Sequence, residues 1–596
     1  MVAQHAGTPP HPQVLSGIVP PLADSYYQRP ETGLALRAAL SPGDTLVLTD
    51  DTWAYDTGAY DTWAYDSDNA SVAASGGTGK TQLAVAYAHA LWSVRAVEVL
   101  VWVTAASRDT IIAGFAQAAV AVGALETPGP DGRGPNSRGP DGRGPDAEAA
   151  AAGFAAWLAE TDRPWALILD DLSDLADLAD VWPAGPAGQV VITTRLPEDA
   201  LAAGAAGMRI APVSGFNRRE ALTYLSARLT DYPDQRIEAL DLGEDLDGLP
   251  LGLAQAAAVM SMSGLSAREY RGRLAERRAD MSGVRVDGVP IAVLATWSLA
   301  AECAHELAPA GVAWPALALA AMLDPHGIPA TVLTSPAACG YITGRPSIAV
   351  GADQNVVRAA LTNLAQAGLI SIDQVSQVRT VRMHACVQAA VRAYLPPADL
   401  EQAMLAAADA LIQVWPEPSS AARVRLEHDP LGRAPFDRAP SNQAQLDQAP
   451  FDQAPFDRAP FNQAQFDQAL RECAAALPVT EDGPLWKPEA HPVLLRQGIS
   501  LQDSGLTGSA ISYWQAMLAT SIRRLGAGHA QSVAARDRLA VAFAAAGRSG
   551  DAIAVFQTAL ADRERHQGYE HPDTIASGTP MWSRSCTKPS RAARNS

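Results

Sequence analysis

From residue 31 the chain alternates two hydrophobic rhythms. TLVLTD (45–50), VEVLVWVTA (97–105), WALILDD (165–171), QVVITTR (189–195) and MRIAPVS (208–214) are nearly unbroken apolar runs, the pattern of strands buried on both faces. Between them, in ETGLALRAAL, KTQLAVAYAHALW (80–92), RDTIIAGFAQAAVAVG and AEAAAAGFAAWLAET, apolar residues return every three or four positions, which predicts amphipathic helices. Strands and helices in alternation predict a parallel sheet covered on both sides. After residue 215 the strand rhythm stops. RREALTYLSARL and LPLGLAQAAAVMSM predict a small helical domain over 216–288. VLATWSLAAECAHEL, AWPALALAAML and VVRAALTNLAQAGL, then a short hairpin (LISIDQ to RTVRMH) and ACVQAAVRAYL, predict helices with a two-stranded wing over 289–396. The fold class expected is multidomain, α/β followed by all-α, with a further helical stretch over 397–430.

A period of five interrupts this order three times: DTWAYDTGAYDTWAYDSD (51–68), GPDGR GPNSR GPDGR GP (129–145) and APFDR to AQFDQ (434–468). Five residues turn about 140° on a helix and change face on a strand, so neither builds an apolar stripe. Residues 51–68 and 127–146 therefore read as loop inserts and 431–468 as a low-complexity linker, with a pentapeptide β-helix as the alternative for the last. Lengthening a surface loop from about 7 to about 22 residues costs only about 1 kcal/mol of closure entropy when its ends are held. TLVLTD can thus still feed the glycine loop beyond the first insert, although NASVAAS (69–75) is a rival for that strand.

The far end carries a longer repeat. SAISYWQAMLATSIRRLG (509–526) aligns with DAIAVFQTALADRERHQG (551–568), pairing Ala510 with Ala552, Trp514 with Phe556, Gly505 with Gly547 and His529 with His571. Small residues at helix crossings with aromatics between them predict stacked helical hairpins over 469–576, to which helices at 398–426 and 469–478 could add. The last stretch, 577–596, turns basic and loses the pattern. Residues 1–28 show neither a signal peptide nor a periodic element and read as a flexible lead.

Charge narrows the partners. The formal charge is −19 over 596 residues, which disfavours nucleic acid and anionic membrane. No apolar run approaches a membrane span. Five scattered cysteines without CxxC spacing read as reduced thiols of a cytoplasmic protein.

The candidate chemistry lies in three places. In GGTGKT (76–81) the glycines let backbone N–H groups curl round phosphate oxygens at a helix start. Gly76, Gly77, Thr78, Gly79, Lys80, Thr81 and Gln82 would contact the nucleotide, Lys80 on the β- and γ-phosphates and Thr81 on Mg²⁺. Ala74 stands where the full pattern has glycine. LILDDL (167–172) is an apolar strand ending in two carboxylates: Asp170 would join the Mg²⁺ shell and Asp171 would position or deprotonate the attacking water. VVITTR ends in Arg195, placed to touch a γ-phosphate at the strands' carboxyl edge.

LILDD, VVITTR, LDGLPLGLAQAAAVM (246–260) and VRMHACVQ (381–388), in this order, resemble the NB-ARC class of STAND nucleotide switches. That resemblance implies a P-loop NTPase domain over 29–215, an ATP/ADP and Mg²⁺ site, and a winged-helix module acting as an interdomain lid. It implies Pro250 on the adenine, His384 on the ADP β-phosphate and Arg29 near the base. The family's Met-His-Asp triplet reads Met383-His384-Ala385 here. The terminal repeat resembles tetratricopeptide arrays of the kinesin-light-chain type, which implies a protein or peptide ligand; active family members often form rings, which implies a homo-oligomer when ATP is bound. The function expected is an ADP/ATP signalling switch with slow hydrolysis. The alternatives are a repeat adaptor holding ADP as a structural ligand, and a transcriptional regulator acting through a partner.

Overall fold

The structure, a computed structural model, describes residues 12–23, 26–29, 40–50, 76–124, 146–204, 207–229, 236–281, 284, 286, 289–344, 350–416 and 462–567. The insert at 51–68, the rival strand 69–75, nearly all of 127–146 and of the helix expected over 31–40, most of the pentapeptide linker and the basic tail lie outside the described residues.

Six strands, β1 (Val14–Ser16), β2 (Thr45–Asp50), β3 (Val99–Thr104), β4 (Trp165–Leu172), β5 (Gly188–Thr194) and β6 (Arg209–Val213), form one sheet in the order β1-β3-β4-β5-β2-β6. Every pairing is parallel, so all carboxyl ends share one edge. β2 lies one strand in from the β6 edge, with Val47 opposite Ile192 of β5 on one side and Ile210 of β6 on the other. The chain leaves β2 for helix α1 (Lys80–Ser93) and enters β3 on the far side of β4 and β5. Strand order reverses at this point, and open α/β sheets hold ligands where it does.

The solid apolar runs are explained by cover on both faces. Leu83, Ala84, Tyr87 and Ala88 of α1 pack with Leu46, Leu48, Trp102, Ile168 and Val191. Val103 points the opposite way from Trp102 and meets Gly114 of α2 (Arg108–Ala121). There α2 lies against α3 (Ala147–Glu160), with Phe115 and Phe154 fully buried and edge to face at 5.4 Å. Each such ring contributes about 1.5–3 kcal/mol by leaving water.

The lead expected to be flexible is partly structured. Val14–Ser16 extends the sheet beside β3, anchored by Val14 N–H donating to Glu98 O at 2.7 Å. A three-residue strand is too short for any period to reveal. It ends at Gly17 (φ 86°), where a Cβ would lie 1.9 Å from Trp102 O.

Beyond the sheet come α4 (Glu198–Gly204), α5 (Arg218–Arg228), α6 (Arg236–Asp245), α7 (Pro250–Ser263) and α8 (Ala267–Asp280). Then follow α9 (Ile291–Glu306), α10 (Ala313–Ala320), α11 (Ala330–Leu333), α12 (Pro336–Thr343) and α13 (Val350–Gln366). A two-stranded antiparallel ribbon, β7 (Ser371–Ile372) with β8 (Val381–Arg382), leads into α14 (Ala385–Tyr394) and α15 (Pro397–Val414). None of the described helices is long and apolar enough to cross a membrane.

The chain divides into two compact units, the first running to Pro416 and taking in Phe451–Val479, the second including everything from Thr480. The linker expected to reach residue 468 gives way earlier, to α16 (Gln463–Ala475), capped by Asn462. AQFDQ adjoins ALRECAAAL, so Phe466, Ala469, Leu470, Cys473 and Ala474 make one buried stripe. Both this helix and α15, expected as possible repeat helices, belong to the first unit. The second unit stacks α17 (Pro492–Asp503), α18 (Thr507–Leu525), α19 (Ala530–Ala545) and α20 (Ser549–Gln567). Trp514 is fully buried there because Gly498 leaves room: a Cβ at 498 would lie 2.4 Å from its ring.

Candidate functional site

The glycine loop joins the insert to α1. Gly77 (φ 100°) and Gly79 (φ 96°) hold left-handed backbone that other residues resist, and nothing stands within 4 Å of a Cβ built on Gly79. The loop is pinned from the side by α7. Leu251 N–H donates to Gly77 O at 3.3 Å, which places Pro250, the first residue of that helix, beside the loop.

Lys80 and Thr81 open α1 and turn toward the sheet's carboxyl edge. Thr81 Oγ1 donates to Asp170 Oδ1 at 2.7 Å, and Thr193 Oγ1 of β5 donates to the same oxygen at 2.7 Å. Burial raises the Asp170 pKa, opposed by His326 and the two threonine hydroxyls. A hydroxyl and a carboxylate side by side are the hard oxygen donors that Mg²⁺ takes. Lys80 Nζ forms an ion pair with Asp50 Oδ1, and Thr78 Oγ1 donates to that oxygen at 2.7 Å. Asp50 is the last residue of β2 and is 2% exposed; its other oxygen is buried with no hydrogen-bond partner. One oxygen of Asp50 thus carries both partners, and the other is left unanswered beside the lysine and below the glycine loop.

Asp171 follows Asp170 but leaves the strand's line. It sits at φ 61°, at an irregularity in the β4–β5 register, a conformation of order 1–3 kcal/mol above the ordinary one. Its backbone N–H donates to Thr193 Oγ1 at 2.8 Å, while Oδ2 takes Arg195 Nη2 at 3.1 Å. His326 Nε2 lies 3.2 Å from the same oxygen. Burial alone would raise the Asp171 pKa, but His326 and Arg195 together hold it far below the carboxylate range. His326 is likewise pulled both ways, lowered by burial and raised more by Asp324 and Asp171, to about 10.

His384 caps α14: its Nδ1 accepts from Cys386 N–H at 3.2 Å, which leaves the ring proton on Nε2. A Cβ on Gly76 would lie 2.6 Å from Cys386 Sγ and 3.3 Å from His384 Cε1, so the loop and this helix start are in close contact. The residue is exposed to solvent although protein atoms crowd round its ring, and desolvation, then Arg195 and Lys80, lower its pKa to about 4. A neutral imidazole offering one N–H suits an anion without adding charge. Two atoms of the neighbouring Arg382 guanidinium, Nε and Nη2, are buried without partners.

The structure thus brings together Gly76, Gly77, Thr78, Gly79, Lys80, Thr81, Pro250, Asp170, Asp171, Arg195 and His384. Gln82 and Arg29 carry protein partners of their own. Gln82 Oε1 accepts from Ala23 N–H at 2.7 Å and its Nε2 donates to Pro21 O, strapping the N-terminal segment to α1. Arg29 gives its donors to Ser214 O, Gly215 O and Glu220, at 2.9–3.3 Å, and lies over Phe216. Both side chains tie the N-terminal segment to the rest of the first unit. Sequence reasoning missed Asp50, His326 and Arg382. The signals available were a carboxylate at the tip of the loop-feeding strand, an Asp-Pro-His turn between apolar helices, and an arginine directly before Met383-His384.

No protein-family model matches the chain, and no curated protein matches it. Among solved structures the chain is similar to a signal transduction ATPase with numerous domains (STAND) carrying a tetratricopeptide repeat sensor, from Pyrococcus horikoshii. Identity is 13%, 93% of this chain and 80% of that one are covered, and the TM-score is 0.36.

Proposed function

We propose that the chain is a nucleotide-dependent switch of the STAND, NB-ARC-like class, binding ADP and ATP and hydrolysing ATP slowly. The observation that supports it most is the meeting of Lys80, Thr81, Asp170, Asp171 and Arg195 at one sheet edge beneath a left-handed glycine loop. In this reading backbone N–H groups of 76–79 and the start of α1 receive the phosphate chain, and Lys80 exchanges Asp50 for a phosphate oxygen. Thr81 and Asp170 would hold Mg²⁺, which supplies charge neutralisation when bound. Arg195, anchored by Asp171, would reach the terminal phosphate. Asp171 accepts a hydrogen bond from water and orients it. Held ionised by two cations it is a poor base, so turnover is slow and the proton of the attacking water passes to the departing phosphate.

The helical region 289–396 acts as a winged-helix lid. His384 donates from Nε2 to a diphosphate while the lid is shut, and a terminal phosphate on Arg195 disturbs the lid's hold on Asp171. Moving a switch from 1:99 to 99:1 takes about 5.5 kcal/mol of differential binding, within reach of two or three charge-assisted hydrogen bonds of about 1.5–3 kcal/mol each. The second unit is a tetratricopeptide-like array receiving a protein or peptide, and a homo-oligomer forms in the ATP state. Ala74 and Ala385, standing where the full patterns have Gly and Asp, favour a second reading, an adaptor that holds ADP without turnover.

The test is titration of the full chain with a fluorescent ADP analogue and with ATP and Mg²⁺. Wild type saturates, and Lys80→Ala weakens binding roughly 10- to 100-fold, the worth of one charge-assisted bond. A wild-type chain that fails to bind either nucleotide at millimolar concentration overturns the proposal. Binding without any Lys80-dependent hydrolysis selects the adaptor.

A further inference from the structure

A line of ion pairs leaves the site through the helical region. Asp171 Oδ2 is held by Arg195 at 3.1 Å and by His326 at 3.2 Å. His326 Nδ1 lies 3.0 Å from Asp324 Oδ1, and Arg379 Nη1 donates to Asp324 Oδ2 at 2.9 Å. Arg379 Nη2 then pairs with Glu472 of α16. The inner members are sealed from water: the side chains of Asp324, Arg379 and Glu472 are 8, 9 and 10% exposed, and that of His326 14%. Ion pairs this buried are held firmly, unlike exposed ones. Asp324 and His326 stand in the turn between α10 and α11, Arg379 in the turn between β7 and β8, and Glu472 on the last helix of the first unit. Only Ala476–Val479 separate that helix from the second unit.

A carboxylate oxygen has two good acceptor directions, and both of those on Asp171 Oδ2 are filled, one of them from outside the sheet domain. We infer that His326 is a positioning residue for Asp171: it withholds that oxygen from water, and it is itself held, through Asp324 and Arg379, by the docking of α16. The inference rests on the proposed hydrolytic reading of the pocket and adds the route by which the second unit reaches it. Strain or ligand binding that shifts α16 slackens Arg379, frees His326 to swing, and opens Asp171 Oδ2. The resulting gain is in the chemical step and not in nucleotide affinity, because none of the relay residues beyond Asp171 touches the glycine loop.

Two variants separate this from a plain packing role. The amide of Asn reproduces a histidine's Nδ1, and that of Gln its Nε2. His326→Asn therefore keeps the contact to Asp324 and drops the one to Asp171, whereas His326→Gln keeps the latter. With the full chain, ATP and Mg²⁺, His326→Asn is expected to raise kcat roughly fivefold, while the Kd for a fluorescent ADP analogue stays within about twofold. His326→Gln raises kcat less than Asn does. Glu472→Gln also raises kcat, and the double variant adds little to either single one, since coupled residues are non-additive. Should His326→Asn fail to fold by circular dichroism, Asp324→Asn loosens the imidazole instead and gives the same gain. If wild-type turnover is undetectable, turnover appearing in these variants supports the relay. Equal effects of Asn and Gln, a fall or no change in kcat, or full additivity with Glu472→Gln overturns it. Loss of nucleotide binding by wild type is a separate result, which removes the site reading itself.

Discussion

At the scale of the residue, the site is a contest among charges in little water. Asp50 is gripped by Lys80 and Thr78 with one oxygen left bare; in the proposed reading an incoming phosphate displaces this carboxylate from its lysine. Asp50→Asn keeps the shape and removes the competitor. It should tighten ADP binding about tenfold, or about 1.4 kcal/mol, by titration with a fluorescent analogue. Gly77 allows no such freedom. At φ 100°, with Leu251 Cβ 3.2 Å from the position of an added Cβ, Gly77→Ala should cost about 1–2 kcal/mol of backbone strain and weaken nucleotide binding measurably. The glycine loop, the paired carboxylates and Arg195 were legible because each is contiguous in sequence. Asp50 and His326 were not, because their partners lie 30 and 155 residues away and no local rhythm joins them.

At the scale of the element, helices and strands answer to their partners. The turn holding Asp324 and His326 owes part of its rigidity to protonation. The His326 pKa is raised from 6.5 to about 10, so its contribution to stability is complete below about pH 6.5 and fades as pH rises through 10. Asp324 is shifted the other way: burial opposes its charge, but His326 and Arg379 keep it below its ordinary value. Its contribution is therefore lost as pH falls beneath the usual carboxylate range. The urea midpoint of wild type should drop between pH 7 and pH 10, and that of His326→Asn should stay flatter. In the second unit Trp514 is 0% exposed between α17 and its own helix. Trp514→Ala should lower the stability of that unit by about 3–5 kcal/mol, read as an earlier unfolding transition in calorimetry. Its role was visible in the repeat alignment. The start of α16 inside the pentapeptide tract was not, since a helix there gains its apolar stripe only when joined to ALRECAAAL.

At the scale of the whole molecule, each unit is a separate body of contacts, and α16 is the first unit's last piece. Arg379 binds that helix to the turn before it through two carboxylates that have little other access to water. Arg379→Leu leaves Asp324 only His326 and Glu472 only the Gln468 amide, so a loss of about 3 kcal/mol and faster hydrogen exchange across Gln463–Ala475 are expected. Unchanged exchange in that helix would show that the pair does not hold it.

The sequence by itself determined the strand and helix alternation, the glycine loop, the two carboxylates, the terminal arginine and the helical repeat, because each is written in residues that are neighbours along the chain. Tertiary structure alone decided that β1 joins the sheet and that Gln82 and Arg29 hold the N-terminal segment. It also decided that Asp50 faces Lys80 and that an ion-pair line runs from Asp171 to Glu472. Those outcomes depend on which distant groups come to share a space where burial makes an unpaired polar group costly.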